Sequence, residues 1–267
     1  MIKYIRYAAT PILVLFGIYF AMKGQYWMWV YQAIFTLIVI FGDLFLGDDR
    51  SQPEYAAPKL LNFFLYINLP LLFTILAISI WMAGSLPLPA WGVSLMDARE
   101  ETTFIHLVGY VIVLGLMVAT AGTNVGHELT HRKRNRFDMF MGNWLLALTW
   151  DCSFAIEHVY GHHKYVATSI DPATAKRGQN PYNFILRAIF LNQRNAWIIE
   201  NSRLIKKGLR PLSIQNRMLI GYARSGILTG AAYLLAGWTG VILFLLISIG
   251  GKVVLEGVNY MEHYGLI

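Results

Sequence analysis

The sequence predicts an all-α, integral-membrane protein: a bundle of six transmembrane helices with a histidine-rich cap on the cytoplasmic side, forming a single membrane domain over residues 1–267. Three observations carry this. Charged residues make up 14% of the chain, against roughly a quarter in soluble domains. The apolar residues gather in six stretches close to the ~20 residues that cross a bilayer. Lys and Arg fall almost entirely on one side of the topology those stretches define.

The six spans are residues 4–22, 27–46, 60–83, 103–122, 218–236 and 239–256. The first runs through Lys23-Gly24-Gln25 straight into the second, so it reads as a membrane span and not as a cleavable signal. The turns at Lys23-Gly24-Gln25 and Gly237-Trp238 are short, which makes spans 1–2 and 5–6 helical hairpins. Residues 47–59, with Pro53 and Pro58, and 84–101, with Pro87 and Pro89, break the helical pattern and are loops. The cap comprises residues 123–217 and 257–267.

With the N-terminus inside, segments 1–9, 47–59 and 123–217 hold 18 of the 22 basic residues. The outer loops hold Lys23 and Arg99, and Arg224 and Lys252 lie within spans. This bias puts both termini and the long middle segment in the cytoplasm. The net charge of +7 follows from that inner face, which suits anionic lipid and an acidic electron carrier alike. Nothing in the pattern suggests nucleic acid. The lone Cys152 cannot form an internal disulfide.

Six of the seven histidines occupy three short boxes, all on the inner side: His127-Glu128-Leu129-Thr130-His131, Glu157-His158-Val159-Tyr160-Gly161-His162-His163 and Asn259-Tyr260-Met261-Glu262-His263-Tyr264-Gly265. A spacing of four puts His127 with His131, and His158 with His162, on one helix face. Six imidazoles exceed one tetrahedral zinc and point to a two-iron site ligated by His127, His131, His158, His162, His163 and His263. Glu128, Glu157, Glu262, Asp151 and Asp171 are candidates to accept the far N–H of a ligand ring and to balance the metal charge. His106, 21 residues before His127 and so ~30 Å of helix away, belongs to the outer end.

Two other readings fit part of the pattern. His127-Glu128-Leu129-Thr130-His131 matches H-E-x-x-H, with Glu128 as general base of a zinc protease, but leaves two boxes unexplained. A metal transporter would place its polar groups at mid-membrane. Trp27, Trp29, Tyr31, Phe35 and Phe41 are either an interfacial belt and helix packing or plugs of a substrate channel.

The boxes and their order resemble the integral-membrane di-iron family of alkane 1-monooxygenases, xylene monooxygenases and fatty-acid desaturases, and most closely its alkane-hydroxylase branch. Asn259-Tyr260-Met261-Glu262-His263-Tyr264-Gly265 looks like the branch's N-Y-x-E-H-Y-G box. Asp171-Pro172-Ala173-Thr174-Ala175 with Arg177-Gly178 looks like its D-P-A-x-A-x-x-G segment, and Gly47-Asp48-Asp49-Arg50 like its acidic loop. The resemblance implies a bacterial inner-membrane enzyme with two non-haem irons that hydroxylates terminal methyl groups of alkanes with O2. Its electrons would come from rubredoxin or a ferredoxin-type carrier, reduced by an NADH-dependent flavin reductase. The family carries a fourth box, L-Q-R-H-S-D-H-H, which this chain lacks. The expectation is therefore a C-terminally incomplete sequence that binds iron poorly and turns over little by itself.

Overall fold

The computed structural model describes residues 2–47, 57–88 and 92–267, and helix is the dominant element among them. The chain opens with α1 (Ile2–Lys23) and α2 (Trp27–Leu46). They reverse at Gly24 (φ +68°), where a side chain would strike the Ala98 carbonyl. α2 is exposed along most of its length, as a lipid-facing helix is, apart from Met28 and Tyr31. Tyr31 donates its hydroxyl to the Leu13 carbonyl (3.1 Å) and Trp29 its indole N–H to Ile105 (3.0 Å), so both are helix-packing residues, whereas Phe41 is exposed. Of the acidic loop Gly47-Asp48-Asp49-Arg50, residues 48–50 lie outside the described residues.

The third expected span is two helices, α3 (Pro58–Tyr66) and α4 (Asn68–Trp81). Pro70 explains the break, because it has no N–H for the Tyr66 carbonyl and its ring crowds that oxygen. At the break the Asn68 side chain donates to the Phe64 carbonyl four residues back (2.6 Å). After α5 (Val93–Glu100) comes α6 (Phe104–Met117). It starts at a capping box in which His106 Nδ1 accepts from the Thr103 N–H (3.0 Å). This is the structural role of the one histidine outside the boxes.

The fourth expected span does not stop at residue 122. It passes through a π-turn at Val118–Thr123 into α7 (Asn124–His131). α8 (Arg136–Ala147) then doubles back along α7. The two approach at Gly126 and Gly142, where each glycine faces the other's carbonyl at 3.1–3.2 Å from a would-be Cβ. Segment 123–217 thus begins by re-entering the bundle, with Leu145, Leu146 and Leu148 fully buried. α9 (Phe154–Glu157), a second π-turn at His158–His162 and α10 (His163–Tyr165) follow. The long α11 (Pro181–Lys206) leads to α12 (Arg217–His263).

α12 is bent back on itself at Ala236 and Gly237, whose backbone is non-helical. Ser225 and Ser248, one on each limb, donate to the adjacent carbonyls of Ala147 (3.0 Å) and Leu148 (2.8 Å). A straight helix would hold those serines ~34 Å apart. Four stretches among the described residues are long and apolar enough to cross a membrane: Trp27–Leu46, Pro58–Trp81, Phe104–His131 and Arg217–His263.

The turns sort to two ends. Gln25 N–H donates to Thr102 Oγ1 (2.8 Å), Arg99 stacks on Trp81 (4.4 Å) and Gly84 packs on the Leu235 carbonyl. The other end carries the histidine boxes. There α11 is tied to α12 by Glu200, which accepts from Arg203 and from both the backbone and the guanidinium of Arg217 (2.6–2.8 Å). Burial favours a neutral Glu200, but the two arginines outweigh it and hold its pKa down at about 2, against 4.5 for a free side chain. A depressed folded-state pKa stabilises the fold above pH ~4.5, and that contribution is lost as pH falls toward 2. Glu200→Gln is therefore expected to be less stable than wild type at pH 7. Its thermal midpoint should also fall less steeply between pH 4.5 and 2.5, as followed by circular dichroism.

Candidate metal centre

The first two boxes meet ring to ring. His127 Nε2 lies 2.7 Å from His131 Nε2 and 2.9 Å from His158 Nε2, and His163 Nε2 lies 3.3 Å from His131 Nε2. One nitrogen from each of these four rings falls within 4.8 Å of all the others. Ligand nitrogens ~2.1 Å from a common ion sit about 3 Å apart, so this spacing suits a shared cation. Burial first, and the neighbouring imidazoles second, push the His158 pKa far below its ordinary value, which keeps that ring neutral and able to ligate.

The π-turn builds half of this cluster. On an α-helix His163 would point well away from His158, since residues five apart do not share a face. In a π-turn the i→i+5 bond sets residue i+5 over residue i. The two ring centroids are accordingly 4.5 Å apart, and His162 stacks against His158 at 5.0 Å. Phe154, one turn before His158, lies parallel to its ring at 4.5 Å and edge-on to His127. Below α7, the Thr123 hydroxyl bonds the Val118 carbonyl five residues back (3.2 Å), so a π-turn also precedes the first box.

His162 and His263 form the other half. Their ring centroids are 4.9 Å apart. His162 Nδ1–H donates to buried Asp171 (3.0 Å) and His263 Nδ1–H to the Asn259 carbonyl (3.0 Å), so both rings keep Nε2 as an acceptor. Burial lowers the His162 pKa, but Asp171, Glu157 and Glu256 outweigh it and raise it overall. Burial favours a protonated Asp171, yet its bonds from His162 and Thr174 keep its pKa low. All six box histidines thus lie at one end of the bundle in one continuous set of ring contacts, and His106 lies at the other.

The carboxylates divide differently from expectation. Asp171 sits against a histidine ring. Glu128 does not: its carboxylate accepts from Arg132 (2.7 Å), the nearest cation one turn on. Asp151 accepts from Ser153 (2.6 Å) and pairs with Lys252 (3.5 Å), which neutralises a cation within an apolar helix. Glu262 is exposed at the end of α12. Glu157 is buried, with Oε1 unpartnered under Gly161; burial, and then the charge of Asp171, raise its pKa to about 7.

Glu256 was not anticipated. It is buried on α12, two turns before His263, and accepts from Asn192 (2.9 Å) and Asn259 (3.1 Å). The signal was present, since an acid inside an apolar stretch marks a functional position by default.

Asp171-Pro172-Ala173-Thr174-Ala175 and Arg177-Gly178 dock the third box. Gly265 N–H donates to the Ala175 carbonyl (3.0 Å), and the Tyr264 hydroxyl accepts from the Gly178 N–H (2.8 Å). Tyr260 donates to Gln179 (2.7 Å) and packs on Phe184. The segment that supplies Asp171 to His162 therefore also seats His263.

The chain is similar to known proteins along most of its length. The fatty acid desaturase family model matches residues 102–266, more than half of the chain and all three boxes. Alkane 1-monooxygenase 1 of Pseudomonas aeruginosa is 32% identical over 92% of this chain and 65% of its own length. An alkane 1-monooxygenase of Pseudomonas putida is 31% identical over 97% of this chain and 62% of its own. The xylene/toluene monooxygenase hydroxylase component of Pseudomonas putida is 29% identical over 98% and 68%. The chain spans 61–65% of the lengths of the first three alkane monooxygenases it matches.

Proposed function

The chain belongs to the fatty acid desaturase family, and from that membership we propose that it is the membrane part of a non-haem di-iron monooxygenase. This enzyme hydroxylates the terminal methyl of alkanes or related apolar chains. The observation that carries the proposal is the convergence of His127, His131, His158 and His163 nitrogens, with the His162–His263 pair beside them. The donor set fits iron: neutral imidazoles bind it, and six of them exceed the ligands one tetrahedral zinc takes. When bound, the two irons supply the oxygen activation that no side chain provides.

The chain's own residues do the rest. The six histidines hold the metals. Asp171 fixes the tautomer and orientation of His162. Asp171 supplies buried negative charge that offsets the ions, and the ions' own charge would draw Glu157 and Glu256 to their ionised forms. Leu72, Val118, Leu145 and Leu148 are fully buried in the bundle's core, which excludes water from its interior. Tyr31 and Phe35 border a small cavity that extends along α6 to Thr120 and Ala121, two turns from His127. This supports an apolar chain approaching between helices, drawn by about 0.8 kcal/mol per buried methylene.

Six crossings with the boxes facing the cytoplasm are part of the proposal. The basic bias of the box end supports that orientation, and the reversal of α12 supports counting it twice. Electrons come from a rubredoxin or ferredoxin-type carrier served by an NADH-dependent reductase. Lys133 and Arg134 rim an open depression that reaches His131, a surface suited to an acidic carrier. The zinc-protease reading is disfavoured by the Glu128–Arg132 pair, which occupies the would-be general base.

A desaturase is the second reading, favoured by the family model itself. The test is product analysis with the reconstituted electron chain. A 1-alkanol from octane is the expected product. A new double bond in an acyl chain, with octane untouched, would assign the site to desaturation.

A further inference from the structure

We propose that the pocket between α8, α9 and the start of α12 binds the phosphate of an anionic phospholipid. The cavity is about 90 Å3 and is lined by Met139, Cys152, Ile156, Arg217, Ile220 and Arg224, among others. Arg217 and Arg224 are seven residues apart, so they share one face of α12 two turns from each other. The inference is independent of the metal centre and needs only that the protein sits in a bilayer.

Two observations single out Arg224. It is half-buried within an apolar stretch that can cross a membrane, and it has no ion pair or hydrogen bond among the described residues. Lys252, the other cation in that stretch, has Asp151. A guanidinium carries five donors and stays charged, and at membrane depth such a group needs an acceptor. Around the pocket the charges do not balance. Glu200 is shared between Arg203 and Arg217 and Asp151 is taken by Lys252, which leaves Arg224 without a carboxylate.

The missing partner is an anion that reaches an apolar-walled site from the bilayer. A phosphodiester does so, and its oxygens match the guanidinium fork. The surplus positive charge favours an anionic headgroup over a choline, whose ammonium it repels. The pocket also lies at the box end, where the exposed basic residues gather and where anionic lipid is attracted.

The test is native mass spectrometry of the purified chain in micelles with equal phosphatidylglycerol and phosphatidylcholine, alongside thermal unfolding with each lipid added. Wild type is expected to retain phosphatidylglycerol over phosphatidylcholine by roughly fivefold, with a higher midpoint in its presence. Arg224→Gln is expected to lose both effects while keeping its helical circular dichroism. Arg210→Gln, which removes a charge from an exposed loop, is expected to keep both. Equal retention of the two lipids by wild type, or an unchanged preference in Arg224→Gln, overturns the proposal. Inorganic phosphate raising the midpoint as much as phosphatidylglycerol also overturns it, in favour of a soluble anion. Should Arg224→Gln fail to fold, Arg224→Lys, which keeps the charge and loses the fork, is expected to lower the preference, and an unchanged one overturns the assignment.

Discussion

His158→Ala is expected to weaken metal binding sharply and to abolish hydroxylation. His158 is the hub of the site: its Nε2 meets His127, and its ring touches those of His131, His162 and His163. Removing it subtracts one nitrogen from the four-nitrogen cluster and withdraws the stacking surface between both halves. The loss in metal affinity should exceed the about 10–100-fold that removal of an outer partner produces. Titration with Co2+, read by visible absorption, measures this without turnover. Helical circular dichroism should be nearly unchanged, because the ring sits at the end of the bundle and not in its apolar core. A variant that still binds Co2+ as tightly as wild type would remove His158 from the site.

Asp171→Asn is expected to weaken metal binding by about 10–100-fold and to do so selectively. The amide can still accept from Thr174 and from the His162 N–H, but it brings no charge, so the ring becomes a weaker ligand. His162 and His263 should lose metal while His127, His131, His158 and His163 keep theirs. The measurable sign is a fall in bound metal per chain with the first equivalent retained. Uniform loss of all metal would instead mark Asp171 as a folding residue that seats the 171–178 segment.

That the chain is helical, with stretches able to cross a membrane, was legible from composition and apolar run length alone, because a bilayer admits helices whose backbone is satisfied internally. The turns read at Lys23-Gly24-Gln25 and Gly237-Trp238 each hold a glycine of positive φ, Gly24 and Gly237, although the second break falls one residue earlier, at Ala236 and Gly237. The continuation of the fourth helix to His131 was not. Polar residues after Gly122 end the apolar run and so closed the span there, whereas the backbone stays helical through His131. The break at Ile67 was written in Pro70 but hidden by apolar neighbours. The return of α8 into the bundle depends on the Gly126–Gly142 approach, a long-range contact with no local signature.

At the site, the six histidines were readable from clustering, but their division into four and two was not. That division comes from the π-turn at 158–162, which a spacing of four cannot reveal. The acidic partners were the weakest reading. Of the acids proposed, Asp171 bonds His162, whereas Glu128 pairs with Arg132 and Glu262 is exposed; Glu256, on a separate segment, was missed. Arg132 and Lys252 took up Glu128 and Asp151 because a free carboxylate pairs with the nearest cation.

The central claim is that the imidazoles of the three boxes converge to hold metal. Anomalous diffraction at the iron edge, on crystals grown with ferrous iron in the absence of oxygen, tests it directly. The account predicts an iron peak about 2.1 Å from nitrogens of His127, His131, His158 and His163, and a second beside His162 and His263. Iron bound away from these rings, or no peak among them in crystals whose other iron sites are filled, would contradict it.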